Sequence, residues 1–327
     1  MADNNTIKLK LYTVALIYTF SIGFSFLAIK KCVPFADSLT ILTYRYDFAL
    51  LGVIVWFTVC RFTGRLPEKK KGRPKSKLYL TAAFYIGVMA LQITAMFFAT
   101  SIEGSIVFAI VPIWAKIIAR IFLGEKSTLL QNIFVVITVS ALIILIILEA
   151  TDLTMSLPGI VIMTLASFSM AISNVFMRYV RGTFKPIEIT KTIAVGGFVI
   201  FNAVSLIRAI ATDGFDRLIE PVTHPQFLIA IAFLGIFCIL LSAQFMAYML
   251  AHMEIVQSTI FGNASTAISI IAGAVILGEP LTIYHILCAA RILVGVIGLA
   301  LAPAPEENSG KKLEESKEKS KKEKTER

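Results

Sequence analysis

Ten apolar runs, each about as long as a membrane is thick, constrain this sequence more than any other feature. A hydrocarbon layer of about 30 Å is crossed by roughly 20 residues of α-helix, in which every backbone group is hydrogen-bonded. We therefore predict an all-α integral membrane protein with ten transmembrane helices. The predicted spans are Leu11–Ile29, Ser38–Cys60, Leu78–Thr100, Ser105–Leu123, Leu129–Leu148, Leu157–Tyr179, Ile189–Ile210, Gln226–Leu250, Ile255–Leu277 and Leu281–Ala302.

The composition agrees with this class of protein. Of the 327 residues, 57% are hydrophobic and 16% are charged, whereas soluble domains carry about 25% charged residues. This balance argues against a disordered chain, a nucleic-acid-binding protein and a secreted disulfide scaffold. The four cysteines show no C-x-x-C spacing, so we predict neither a zinc site nor a disulfide framework, and we expect no cofactor. The short breaks at Glu103 and His252 leave nine or eleven crossings as alternatives.

The basic residues of the predicted loops indicate how the chain is oriented. With ten crossings, twenty-three lysines and arginines lie on the side that holds both termini, and four lie on the other side. Cytoplasmic loops retain such residues, so we predict that both termini lie in the cytoplasm. The segment Lys324–Arg327 lacks a dilysine retrieval pattern, so we predict the plasma membrane. The net charge of +10 therefore reflects the basic loops on the cytoplasmic side and does not indicate a polyanionic partner. The basic loop 61–77 either contacts anionic lipid or serves as a stop-transfer signal. The four exceptions are Lys30, Lys31, Arg208 and Arg217.

A short motif occurs twice at equivalent places in the chain. Phe122–Glu125 ends the fourth run and Ile276–Glu279 ends the ninth, 154 residues later, and both contain Leu-Gly-Glu. Ten helices thus divide into two repeats of five, and an odd number of crossings makes the second repeat inverted. The predicted organisation is a cytoplasmic N-terminus (1–10), a first repeat (11–148), a linker (149–156), a second repeat (157–302) and a charged, disordered cytoplasmic tail (303–327).

Several segments resemble a known family of carriers. They are Gly23–Lys30, the triplet Tyr44-Arg45-Tyr46, and the turn Leu277–Thr282 that leads into the last helix. Together they resemble the EamA-like permeases of the drug/metabolite transporter (DMT) superfamily, over about Leu11 to Ala302. The resemblance implies two inverted five-helix repeats that move small metabolites, often amino acids or their relatives, usually outward. Ile22 stands where the family commonly has tryptophan.

Among the charged residues of the predicted spans, Arg45, Asp47 and Arg291 stand out as candidates for a functional or structural role. Lys116 and Lys191 lie near enough to helix ends to extend their ammonium groups to the membrane surface. A charge at the centre of a membrane helix costs about 2.5–3.5 kcal/mol on insertion scales, so each requires a partner or a hydrated cavity. Arg45 and Asp47 are two residues apart on one helix and cannot face each other, so we predict an ion pair between Asp47 and Arg291. These charges either hold helices together or take part in ion coupling.

Uncharged polar residues are the predicted substrate contacts, because they offer hydrogen bonds without the cost of an unpaired buried charge. Hydrogen bonding between helices is the alternative role for each of them. The stripe Ser265, Ser269 and Gly273 indicates close helix packing. The predicted binding residues are the amides Gln92, Asn174, Gln244 and Asn263, with Trp114 and Tyr248 as aromatic walls.

The sequence predicts a secondary transporter that moves a small polar metabolite by alternating access, with a proton or another ion as coupling partner. Export is the direction that the family resemblance implies. Glu125 and Glu279 are expected to brace the repeat ends, with proton coupling as the alternative. A phosphate-binding loop and an H-E-x-x-H motif are both absent from the sequence, which argues against an ATP-driven pump and a metalloenzyme. A nucleotide-sugar or organellar carrier of the same superfamily, a channel and a non-transporting membrane protein remain alternatives.

Overall fold

The structure of the protein is a computed structural model, which describes residues 2–63, 75–123, 128–151, 157–181, 183–212, 214–252 and 255–303. The regular structure of these residues is helical. Seven helical stretches are long and apolar enough to cross a membrane. Three shorter apolar helices, Leu129–Leu145, Ala264–Ile276 and Ile283–Leu299, coincide with the remaining predicted spans. The all-α membrane fold is therefore confirmed, whereas the number of ten crossings remains a prediction.

The first half of the chain contains six helices. The predicted fourth span corresponds to two of them. The helices are α1 (Ala2–Cys32), α2 (Ser38–Phe62), α3 (Ser76–Ala95), α4 (Ser101–Phe108), α5 (Val111–Leu123) and α6 (Leu129–Thr151).

The second half contains the remaining seven α-helices, a short 3₁₀ turn and one π-helical segment. The 3₁₀ turn spans Glu220–Thr223, and the π-segment, Phe233–Leu241, connects two α-helices in one continuous rod. The α-helices are α7 (Leu157–Arg181), α8 (Pro186–Ala211), α9 (Asp216–Ile219), α10 (Pro225–Ala232), α11 (Ser242–His252), α12 (Ile255–Ile276) and α13 (Ile283–Leu301).

Two predicted helix boundaries are wrong around the third and fourth spans. α3 ends at Ala95, and α4 begins at Ser101 with a capping box formed by Thr100 and Glu103. The helix is interrupted again between Phe108 and Val111. Pro112 explains this second break, since proline cannot donate a backbone hydrogen bond and its ring clashes with the preceding turn.

The predicted ends of the chain's segments differ in smaller ways. α1 begins at Ala2, so the predicted N-terminal segment 1–10 is mostly helical. α6 extends to Thr151, inside the predicted linker. The repeated Gly124 and Glu125, most of the basic loop 61–77 and the tail from residue 304 lie outside the described residues.

The helices pack as partners drawn from opposite halves of the chain. α1 packs along α12, α3 along α7, α2 along α8, and α6 along α13. α1 also contacts the rod formed by α10, the π-segment and α11, and α7 also contacts α4 and α5. Large apolar side chains such as Leu51, Ile54 and Val55 are more than half exposed on the outside, which suits a surface in contact with lipid.

Candidate functional site

Arg45 is a buried cation within the helix bundle. It lies on α2, two turns after the helix begins, and is only 3% exposed. Its Nε and Nη1 atoms are buried and have no hydrogen-bond partner among the described residues. A buried guanidinium without partners is costly, so an arrangement of this kind points to function.

The surroundings of Arg45 come from both halves of the chain. The guanidinium interacts electrostatically with Cys32 at the end of α1, Tyr85 on α3 and Cys238 in the π-segment. The neighbouring Tyr46 is fully buried, and its hydroxyl also has no hydrogen-bond partner within the described part of the chain. Arg45, Tyr46 and Tyr85 thus bring one cation and two phenols to the junction between the halves. We call these three residues the Arg45 site.

Two glycines allow the helices around this site to approach closely. A Cβ atom at Gly235 would lie 2.7 Å from the Arg45 carbonyl oxygen, so the π-segment contacts the α2 backbone at this residue. A Cβ atom at Gly197 of α8 would lie 2.2 Å from the ring of Tyr46. Tyr46 also stacks on Phe201, with ring centroids 5.3 Å apart. π-Helices are rare in proteins as a whole, but those that occur are often found at functional sites. Here the π-segment packs against the backbone of Arg45.

The predicted ion pair between Asp47 and Arg291 is wrong. Asp47 accepts a 2.7 Å hydrogen bond from the Asn202 side chain on α8. Arg291 is exposed on α13 and donates a 3.3 Å hydrogen bond to the Ser140 hydroxyl on α6. α2 packs on α8 and α13 packs on α6, so each charged residue takes its partner from the helix beside it.

A second polar cluster surrounds Glu279 after α12. Its carboxylate accepts hydrogen bonds from the Ser101 hydroxyl at 2.6 Å and from the backbone N–H groups of Ser101 and Ile102 at 2.9 and 3.1 Å. Gly278 allows this geometry with a left-handed φ of 66°, and the Glu279 N–H donates to the Gly273 carbonyl to close the end of α12. Glu279 thus braces the start of α4, as expected from the repeated motif.

Lys30 joins the same cluster, which accounts for one exception to the charge rule. Its ammonium donates hydrogen bonds of 3.0 and 2.7 Å to the carbonyls of Met96 and Ala99, just after α3 ends. Lys30 also interacts electrostatically with Glu279 and Glu103. A cation beside carbonyl groups at the end of a helix is favourable. We call Lys30, Ser101, Glu103 and Glu279 the Glu279 cluster.

Arg208, a second exception to the charge rule, binds Asp37 in the loop before α2. Asp37 caps α2 by accepting a 2.8 Å hydrogen bond from the Thr40 backbone N–H, and it forms a salt bridge with Arg208. Partial burial acts to raise the pKa of the Asp37 carboxyl. The hydrogen bonds from Thr40 and Arg208 and the positive charge of Arg208 outweigh it, so the pKa lies below its usual value. This contact ties α2 to the end of α8.

The predicted polar contacts do not form one cluster in the structure. Trp114 donates a 3.1 Å hydrogen bond to the Ser167 hydroxyl between α5 and α7. Gln92 is buried on α3, whereas Asn174 on α7 is exposed.

The other three predicted contacts lie on α11 and α12. Gln244 of α11 is half-buried, and its amide nitrogen is buried with no hydrogen-bond partner in the described residues. Tyr248 lies near the start of α1, since the Lys10 ammonium is 5.8 Å from its ring centroid. Asn263 belongs to α12, and its side chain lies outside the described part of the structure. A binding role for these residues stays a prediction.

The sequence pattern identified Arg45 but not the residues around it. The sequence points to Tyr46 only through the family resemblance, and no sequence pattern points to Tyr85. The one available signal was that Tyr46 directly follows an intramembrane arginine. In the described residues, histidine, cysteine, aspartate and glutamate side chains do not gather in groups of three that could hold a metal ion.

Comparisons with known proteins agree on a family. The sequence profile of the EamA-like transporter family matches residues 9–147 and 157–301. The "Uncharacterized transporter YcxC" of Bacillus subtilis is 31% identical over 290 residues, which cover 88% of this chain and 91% of the relative. An "Uncharacterized transporter" of Archaeoglobus fulgidus is 24% identical and is covered over 97% of its length.

A solved structure also matches the fold. It is described only as a crystal structure of a protein, and the two chains superpose with a TM-score of 0.55 at 16% identity. The match covers 89% of this chain and 96% of the solved one, so the likeness extends over the whole helical bundle.

Proposed function

Since this multi-pass membrane protein belongs to the EamA-like transporter family, we propose that it is a secondary transporter for a small polar metabolite. Its substrate is an amino acid or a derivative of one, and it is moved outward across the cytoplasmic membrane by alternating access. Both termini face the cytoplasm in this proposal.

The division of the chain into two similar halves carries this proposal. The family profile matches two segments of nearly equal length, 9–147 and 157–301, and the helix contacts repeat between them. In the first half α1 contacts the α10–α11 rod, and in the second half α7 makes the equivalent contact with α3. Likewise, α1 contacts α12, and α7 makes the equivalent contact with α4 and α5. Two halves inserted in opposite directions can expose one central site to each side in turn.

The Arg45 site is the central site of this mechanism. It lies where α1, α2 and α3 of the first half contact the π-segment and α8 of the second. A rocking movement of one half against the other opens this junction to one side and then to the other. The buried arginine is hydrated and reachable only in the open conformations.

Energy for directed transport comes from an ion gradient, and a proton is the simplest coupling ion. Asp47 is suited to carry it, because this half-buried carboxylate lies within α2 and is held by the uncharged amide of Asn202. Protonation of Asp47 removes an intramembrane charge that is expensive to move. Asp47 is only two residues from Arg45, so coupling and substrate sites share one helix.

Counterflow in proteoliposomes tests the proposal. Vesicles containing purified protein are loaded with each candidate metabolite in turn and diluted into the same compound in labelled form. A carrier shows saturable uptake that exceeds uptake into empty vesicles and is stimulated by internal substrate. A channel gives uptake without this stimulation, and a non-transporting protein gives none. Either result contradicts the proposed function.

A further inference from the structure

Arg45 differs from Lys30, Asp47 and Arg291 in having buried hydrogen-bond donors that are not used. Lys30 donates to two carbonyls, Asp47 accepts from Asn202, and Arg291 donates to Ser140. Arg45 has two buried donor nitrogens without any acceptor. Its nearest acidic neighbour in sequence, Asp47, is bonded to α8 instead.

The cost of this arrangement requires a compensating role. A buried donor without a partner costs about 1–3 kcal/mol, and more when the group is charged. A purely structural arginine in a membrane protein pairs with a carboxylate or with backbone carbonyls. Arg45 forms neither kind of pair in the described residues. The hydroxyl of the neighbouring Tyr46 is likewise buried without a hydrogen-bond partner there. The missing acceptor is therefore an anion that comes from outside the chain.

From this geometry we propose that the Arg45 site binds the carboxylate of the transported substrate, an inference that rests on the proposed function. The guanidinium supplies the positive charge, and the Tyr46 and Tyr85 hydroxyls donate further hydrogen bonds to the carboxylate oxygens. A planar guanidinium matches a carboxylate in shape and in donor spacing.

The amount of charge at the site selects the class of anion. Among the described residues, Arg45 is the one arginine or lysine whose side chain is buried. One positive charge balances one carboxylate, whereas the diphosphate of a nucleotide sugar would bring at least two negative charges into the same low-dielectric interior. The site therefore fits a monocarboxylate or a zwitterionic amino acid.

A paired set of ligands tests this assignment without altering the protein. The common amino acids and short monocarboxylates, each beside its own carboxamide, are titrated against the full-length protein in detergent, with the melting temperature as readout. At least one acid is expected to bind about tenfold to a hundredfold more tightly than its amide, the effect of losing one charge-assisted contact. Equal affinity for acids and amides, or no stabilisation by any acid, overturns the proposal.

Variants then assign the effect to Arg45. Arg45→Gln is expected to remove the preference for acid over amide, and Arg45→Lys to retain part of it. Arg291→Gln is the matched control, since it removes an exposed guanidinium from another membrane helix, and it is expected to leave the preference unchanged. Should Arg45→Gln fail to fold, Arg45→Lys and the wild-type ligand pairs still decide the matter. An acid preference that survives in a folded Arg45→Gln protein contradicts the proposal.

Counterflow of the same ligands separates this inference from the proposed function. If amides or cations show counterflow and carboxylates show none, the carrier function stands and the Arg45 assignment is overturned. Absence of counterflow for every ligand, together with tight binding of an acid, overturns the carrier function and supports the binding site.

Discussion

The Glu279 cluster and the Arg45 site are both groups of polar residues in an otherwise apolar helix bundle, yet they use their hydrogen-bonding capacity differently. Glu279 accepts three hydrogen bonds and Lys30 donates two, all to groups of the same chain. Arg45 leaves two buried nitrogens unpaired. A satisfied cluster holds helices in place, whereas an unsatisfied buried cation is poised for a ligand. Stability should therefore depend on the first region, and substrate selection on the second.

The largest effect on stability is expected from Glu279→Ala. The substitution leaves the start of α4 without its acceptor, and unpaired buried donors cost about 1–3 kcal/mol each, so we expect the free energy of unfolding to fall by about 3 kcal/mol. The melting temperature in detergent measures the change. Glu220→Ala, at an exposed position, is the control and should have little effect. A Glu279→Ala protein as stable as the control would break the distinction between the two regions.

Asp47→Asn is expected to affect coupling rather than binding. Without a protonatable group, gradient-driven accumulation in proteoliposomes should fall by at least about tenfold, equivalent to about 1.4 kcal/mol, while counterflow persists. Equal loss of both activities would instead place Asp47 in the binding site. A charge swap, Asp47→Arg with Arg291→Asp, should restore nothing, because the two residues bond to Asn202 and Ser140.

Lys30→Met is expected to have a smaller effect than Glu279→Ala. It removes a cation and two hydrogen bonds from the end of α3, for an expected loss of about 1–2 kcal/mol in the free energy of unfolding. Lys31→Met is the matched control at the next position and should be nearly neutral. The melting temperatures of the two variants give the comparison. An acid preference in ligand binding that also disappears in Lys30→Met would show that the two regions are not separate.

The smallest effect concerns pH and the Asp37 contact. Folding lowers the pKa of the Asp37 carboxyl. The contribution of this carboxylate to the free energy of unfolding is therefore complete above its unfolded pKa of about 3.9, and it is lost as pH falls through the lower pKa of the folded state. Asp37 is 38% exposed, so its salt bridge contributes less than about 1 kcal/mol.

Melting curves of wild-type protein and Asp37→Asn from neutral pH down to about pH 3 measure this contribution. The difference between the two proteins should be constant near neutrality and should shrink at acid pH. A difference that grows with acidification would contradict the sign of the shift.

Much of the fold could be predicted from the sequence because apolar runs and helix starts are local signals. α2 begins at Ser38 and α7 at Leu157, as predicted. The break at Pro112 also has a local cause, but the apolar run concealed it. The π-segment, in contrast, lies where Gly235 contacts the backbone of α2, and a contact of that kind is not encoded in the segment's own pattern.

The site was less predictable because partners across helices depend on which helices adjoin. Sequence spacing shows that Arg45 and Asp47 point apart, but not that Asp47 faces α8 rather than α13. Equally, the repeated Leu-Gly-Glu motif indicated a brace, whereas only the packing of α12 on α4 shows what Glu279 bonds to. The amides chosen as substrate contacts are spread over separate helices.

The inverted arrangement of the two halves is the central claim, and labelling of single cysteines tests it most directly. In a protein whose four native cysteines are replaced, Lys126→Cys and Pro280→Cys are exposed in intact cells to a membrane-impermeant maleimide. We predict that Pro280→Cys is labelled from outside and that Lys126→Cys is labelled only after the cells are opened. Labelling of both positions from the same side would contradict the inverted halves and the alternating-access mechanism.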